Sequence, residues 1–232
     1  RQGAALLEEG RHQETQAPLG QSLERLAQAE EALGDGDPRL LESIGANRRA
    51  VASNLLLARL GMDLARSQQA VAEFQGQNFD GAEAAFQEVR AAVDSISQEA
   101  AAQGIQEVAD EAARHVQELD QNIEGCRIGR DARQVEELVQ QANIRLEEAE
   151  QAVGQRDLIK AGDVLREAVG GLESAFGIAN RRSFQDVLPT INQLRRRVQG
   201  RLDEIYDALS RGVTVAPLPP MPVQPVRPKP PV

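Results

Sequence analysis

Apolar residues recur along this chain at helical spacing almost from end to end. Phe79, Ala82, Phe86, Val89, Val93 and Ile96 follow one another at intervals of three, four, three, four and three. Such a stripe lies on one face of a helix with 3.6 residues per turn. Asn78 stands just before it as a cap, and Gly104 ends it. An earlier stripe of Ile44, Val51, Leu55, Leu60, Leu64, Val71 and Phe74 follows Asp37-Pro38, a cap with proline at the first helical position, and stops at Gly76. Unbroken, it makes a rod of about 55 Å at 1.5 Å per residue, with Gly45 and Gly61 as places to bend.

A third stripe runs from Ile105 through Ala109, Ala112, Val116, Leu119 and Ile123, and Gly125 is its expected stop. Asp131 is then the expected cap of a helix holding Val135, Leu138, Ala142, Leu146, Ala149 and Val153. Asp157 opens the next, with Leu158, Ala161, Leu165, Ala168, Leu172 and Phe176. The last starts near Ser183 to Asp186, carries Ile191, Leu194, Val198, Leu202, Ile205 and Leu209, and ends at Gly212. Leu19, Leu23, Leu26 and Leu33 predict a short helix before Gly34. Links of about three to seven residues favour antiparallel neighbours. The expected fold is all-α: antiparallel helical hairpins in an elongated bundle or short solenoid. Residues 1–36 form an N-terminal helical segment, 37–212 the hairpin body and 213–232 an extended tail.

Shifting the sequence by 79 residues superimposes Ala65–Ser97 on Ile144–Phe176. Asn78 falls on Asp157, Phe86 on Leu165 and Val93 on Leu172, with identities at Arg66/Arg145, Ala70/Ala149, Ala82/Ala161 and Glu88/Glu167. Asn78-Phe79-Asp80-Gly81-Ala82-Glu83-Ala84-Ala85-Phe86 resembles the turn and second helix of a tetratricopeptide repeat, and Asp157 through Leu165 is similar. The resemblance covers two stretches of about 30 residues. It departs from the family in its first helix, which lacks the Trp-x-x-Leu-Gly-x-x-Tyr signature, and in its period. It implies a helical-repeat adaptor that binds partner peptides in a concave groove.

Composition narrows the chemistry. Aromatics are 3% of the chain and tryptophan is absent, which disfavours sheet architectures. The 26 basic residues against 36 acidic give a net charge of −10, opposing a general nucleic-acid binder. The longest apolar run, Asn54–Ala58, is far short of the ~20 residues of a membrane span. The lone Cys126 excludes an internal disulfide; it reads as a buried small hydrophobe near a turn, or as a reactive thiol. Glu111 and His115 share one helix, and His12 and Glu14 lie near the N-terminus, but neither pair has the Glu-x-x-His spacing of a di-iron bundle. Gly34-Asp-Gly36 and Gly170-Gly171 lack the context of a phosphate loop. No metal, no cofactor and no catalytic constellation is expected, so the chain reads as non-enzymatic.

Two features point to partners. Eight of the eleven prolines lie between Pro217 and Pro231, predicting a stiff polyproline II tail. Pro222, Pro225, Arg227, Pro228 and Lys229 are its candidate contact residues, spaced as aromatic-lined grooves read them. The tail is either a solvated spacer or a docking strap, and it is expected to contribute little to folding of the body. Arg181, Arg182, Arg195, Arg196 and Arg197, with Arg201, form a basic cluster. It either pairs with neighbouring acidic helices or orients a partner or a second copy. The expectation is a structural or scaffold subunit of a larger assembly, in contact with other protein subunits or with itself, and without nucleic acid. A start at Arg1, the lone cysteine and the tail favour a bacterial envelope or surface setting: periplasmic, cell-surface or extracellular rather than cytoplasmic. A soluble tetratricopeptide-like adaptor is the alternative.

Overall fold

The structure, a computed structural model, describes residues 5–7, 9–34 and 36–218. Among these there is helix and no strand. Beyond a helical turn at residues 5–7, the helices among the described residues are α1 (His12–Leu33), α2 (Pro38–Gln75), α3 (Phe79–Ala102), α4 (Gln106–Gly154), α5 (Leu158–Arg181) and α6 (Leu188–Arg211). Helices adjacent in sequence pack together, and the chain divides into two compact units, Arg1–Cys126 and Arg127–Val232. The division falls within the stretch 37–212.

The expected caps form where side-chain chemistry demands them. The Asp37 carboxylate accepts from the Arg39 N–H, Asn78 from Gly81 and Asp157 from Lys160. Two expectations need correction. Gly125 does not stop a helix and Asp131 does not start one, because α4 runs through both as 49 continuous residues. A glycine inside a helix costs only about 1 kcal/mol, and here Leu119, Ile123 and Cys126 continue one buried stripe past it. The Asp131 carboxylate is taken by Arg182 instead. The last helix begins at Leu188, with Pro189 in its first turn, rather than at Ser183 to Asp186. Ser183 has φ 56, a left-handed conformation that ends the previous helix, and Phe184 behind it is fully buried.

In the first unit the core gathers Leu56, Leu60 and Ala70 of α2, Ala82, Phe86, Val89, Val93 and Ile96 of α3, and Val108, Ala112, Leu119, Ile123 and Cys126 of α4. In the second unit it gathers Val135, Val139, Leu146 and Ala149 of α4, Ala161, Leu165, Ala168 and Leu172 of α5, and Phe184, Ile191, Val198, Leu202 and Ile205 around α6. Each is a three-helix packing around one mainly aliphatic interior that holds a single buried phenylalanine, Phe86 or Phe184. The 79-residue relation holds residue by residue between them: α3 and α5 are both 24 residues, Phe79–Ala102 and Leu158–Arg181. Gln77 and Arg156 before them share φ 62 and 63, and Gly104 and Ser183 after them share φ 69 and 56.

Four of the identical pairs explain themselves in this frame. Ala70, Ala149, Ala82 and Ala161 are all fully buried, where a larger side chain would part the helices. Arg66 reaches Glu88 at 3.9 Å across α2 and α3, and Arg145 reaches Glu167 at 3.3 Å across α4 and α5. The relation also extends through a third helix, pairing Ala112 with Ile191, Leu119 with Val198 and Cys126 with Ile205, all buried.

Candidate functional site

The basic cluster is distributed over different neighbours. Arg182 pairs with Asp131 of α4. Arg195 lies 5.2 Å from the centre of the Phe176 ring and 3.8 Å from Glu173, both on α5. Arg181, Arg196 and Arg197 form no ion pair among the described residues. Arg195 and Arg196 do meet in a shallow groove of about 450 Å3, but Glu173 and Asp203 line it too, so its charge is mixed. The tail residues Pro222, Pro225, Arg227, Pro228 and Lys229 lie outside the described residues.

The most highly organised polar constellation is centred on Arg201, whose side chain is 3% exposed. Its Nε donates to Glu150 Oε1 at 2.8 Å and one terminal nitrogen to Glu150 Oε2 at 2.7 Å. The other terminal nitrogen donates to Glu204 at 2.7 Å. This is a bidentate guanidinium–carboxylate fork, the geometry that best compensates a buried charge. Burial alone would lower the arginine pKa, but the bonds from Glu150 and Glu204 outweigh it and raise it.

The beginning of the tail closes over this pair. Gly212, left-handed at φ 65, ends α6 and turns the chain back. Arg201 donates to the Ala216 carbonyl at 2.7 Å, and the Leu218 N–H donates to Glu150 at 2.8 Å. Val215 packs against the aliphatic core of the second unit. The clamp therefore reads main-chain groups, an acceptor at 216 and a donor at 218, with an apolar side chain just before them. Residues 213–218 are thus tied to the second unit by two hydrogen bonds and the Val215 contact, with the other side chains exposed.

The sequence reading puts Arg201 in a basic cluster that either pairs with acidic helices or orients a partner; the bond to Glu150 is the first of these, and what the reading misses is its burial. A signal was present: Leu194, Val198, Arg201, Ile205 and Ala208 are spaced four, three, four and three, so Arg201 occupies a core position.

Elsewhere, Cys126 is fully buried within α4 rather than beside a turn. His115 bonds Glu118 at 2.8 Å, one turn on, and not Glu111. The His12 ring lies over Gly61, so closely that a Cβ there would sit 2.5 Å from ring atoms. Among the described residues no group of three or more His, Cys, Asp or Glu is placed to hold a metal ion. No helix there is long and apolar enough to cross a membrane. No protein-family model, curated protein or solved structure matches this chain.

Proposed function

We propose that this chain is a non-enzymatic scaffold subunit of a larger protein assembly, in a bacterial envelope or surface setting. The observation that carries the reading is the three-helix unit present twice at a 79-residue shift, with the same caps, buried alanines and interhelical ion pair. Repeated helical units extend a surface by adding the same module, and such surfaces serve protein contacts. The polar chemistry supports the same reading, since Arg66, Arg145, Arg182 and Arg201 are all spent joining helices. The test is chemical cross-linking in the source cells, followed by mass spectrometry and cell fractionation. Reproducible cross-links from the helix faces to a second copy or to fixed protein partners are expected, in an envelope fraction. A chain that yields no intermolecular cross-link would contradict the reading.

A tetratricopeptide-like adaptor is the second reading. It is favoured by Ala82 and Ala161, the small residues between bulky Phe79 and Phe86 and between Leu158 and Leu165. Saturable binding of short peptides by the isolated chain would support the adaptor over the scaffold.

A further inference from the structure

The first unit carries α1 and the first half of α2 beyond its three-helix core. Between Leu19 and Leu56 none of the described residues is buried. That interval holds the second half of α1 and the first half of α2, about 20 Å of paired helix. They run antiparallel: Gln16 bonds Met62 near the core end, and Glu30 pairs with Arg48 near the turn. The α3 helix does not cover them, since its contact with α2 near its own C-terminal end is Arg59–Glu99, already past the interval. What protrudes is a two-helix tip.

This tip is not polar all round. Leu23, Leu26 and Leu33 of α1 and Leu41, Ile44, Val51 and Leu55 of α2 are only half-buried, and Leu40 is 52% exposed. Two helices cover only one side of each other's apolar seam, and a third or fourth is needed to close it.

The charges say what could close it. Within 21–33, α1 carries Glu24, Glu30 and Glu31 against Arg25, a net of −2. Within 38–55, α2 carries Arg39, Arg48 and Arg49 against Glu42, a net of +2. Only Glu30 and Arg48 pair with each other; Glu24, Glu31, Arg39 and Arg49 are exposed and form no ion pair among the described residues. A surface with one acidic and one basic helix is complementary to itself when turned by a two-fold rotation. The acidic helix of one copy then faces the basic helix of the other, twice over.

We propose that the tip is a dimerisation surface whose partner is the same tip of a second copy, the two hairpins closing into an antiparallel four-helix bundle. Leu26, Leu33, Ile44 and Val51 supply its interior, and the Glu24/Glu31 and Arg39/Arg49 pairs set its orientation. The proposal rests on the assembly reading only in naming one partner. Loss of tip pairing would leave assembly through other faces intact, whereas absence of any cross-linked partner would remove the assembly reading itself.

Sedimentation velocity of the full chain across a concentration series tests it with two charge variants that spare the Glu30–Arg48 pair. Arg39→Glu with Arg49→Glu makes both tip helices acidic, and Glu24→Arg with Glu31→Arg makes both basic. Each variant alone is expected to be monomeric, its dimer weakened by about tenfold or more. An equimolar mixture is expected to recover a dimer of one copy of each. Ile159→Glu, at a residue 69% exposed in the second unit, is expected to dimerise like the parent chain. A parent chain monomeric at every concentration, charge variants that dimerise alone as well as the parent, or a mixture that stays monomeric would each overturn the proposal.

Discussion

The two three-helix units share a plan and differ in how it is finished. In the second unit the last helix ends at Gly212 and residues 213–218 fold back onto the Arg201–Glu150 pair. In the first, α2 continues past the core for the length of a second hairpin helix, and α1 alone accompanies it. The interiors are equivalent, with Phe86 answering Leu165 and Leu119 answering Val198, so interior packing does not set the difference. It is set by what lies at the ends: a clamp and strap in one unit, an apolar seam with unspent charges in the other. A closed end adds stability, whereas an open end keeps free the side chains that a partner can use.

The largest effects should come from the equivalent interiors. Phe86→Ala and Leu165→Ala should each cost about 3–5 kcal/mol, because both side chains are almost completely excluded from water. Leu26→Ala in the tip should cost less than about 1.5 kcal/mol in the monomer, the seam there being half-buried. Chemical denaturation of the three variants checks the ranking, and equal costs would erase the contrast between body and tip.

The clamp comes next. Arg201→Ala strands Glu150, whose side chain is 14% exposed, and should cost about 2–4 kcal/mol. Replacing both partners together, Arg201→Met with Glu150→Leu, should cost markedly less, since no charge is left unpaired. Ending the chain at Gly212 removes the two main-chain bonds and the Val215 contact, and should cost about 1–2 kcal/mol. A truncated chain that melts like the parent would make the strap a spacer.

Two glycine exchanges sharpen the comparison at smaller scale. Ser183 sits in the left-handed conformation that Gly104 occupies 79 residues earlier, so Ser183→Gly should stabilise by about 1 kcal/mol. Gly61→Ala should reverse the usual gain of about 1 kcal/mol for alanine in a helix, because the His12 ring fills the space its Cβ needs. Thermal melts of the two variants should move in opposite directions.

The smallest effect is at the start of α1. The hydrogen bond from Arg11 holds the Glu14 carboxyl below its ordinary pKa. A carboxylate so lowered stabilises the folded state above its unfolded pKa, and that contribution fades as pH falls through the folded value. Amide shifts in the first turn of α1 should therefore move at lower pH than in a peptide of the same sequence. Glu14→Gln should abolish the step.

Much of this was legible in the sequence because capping and periodicity are local. Asn78, Asp157 and Asp37 mark real helix starts, and the shift of 79 is enough to reveal the repeated hairpin. The failures came where a distant partner decided the outcome. Asp131 has the chemistry of a cap, but Arg182, 51 residues away, takes its carboxylate. Arg201 sits in sequence among charged neighbours, although its spacing from Val198 and Ile205 places it inside. The extent of the open tip was hidden as well, since Leu26 and Ile44 carry the same pattern as core leucines and only the missing third helix tells them apart.

Residue-resolved hydrogen exchange of the full chain at several protein concentrations separates a closed body from an open tip. Strong, concentration-independent protection is expected in Phe79–Ala102 and Leu158–Arg181, position for position alike. Weak protection of residues 20–33 and 38–55 is expected in dilute solution, rising as the protein is concentrated and the tips pair. Protection of the tip as strong as that of α3 and α5 in dilute solution, or unchanged by concentration, would contradict that contrast.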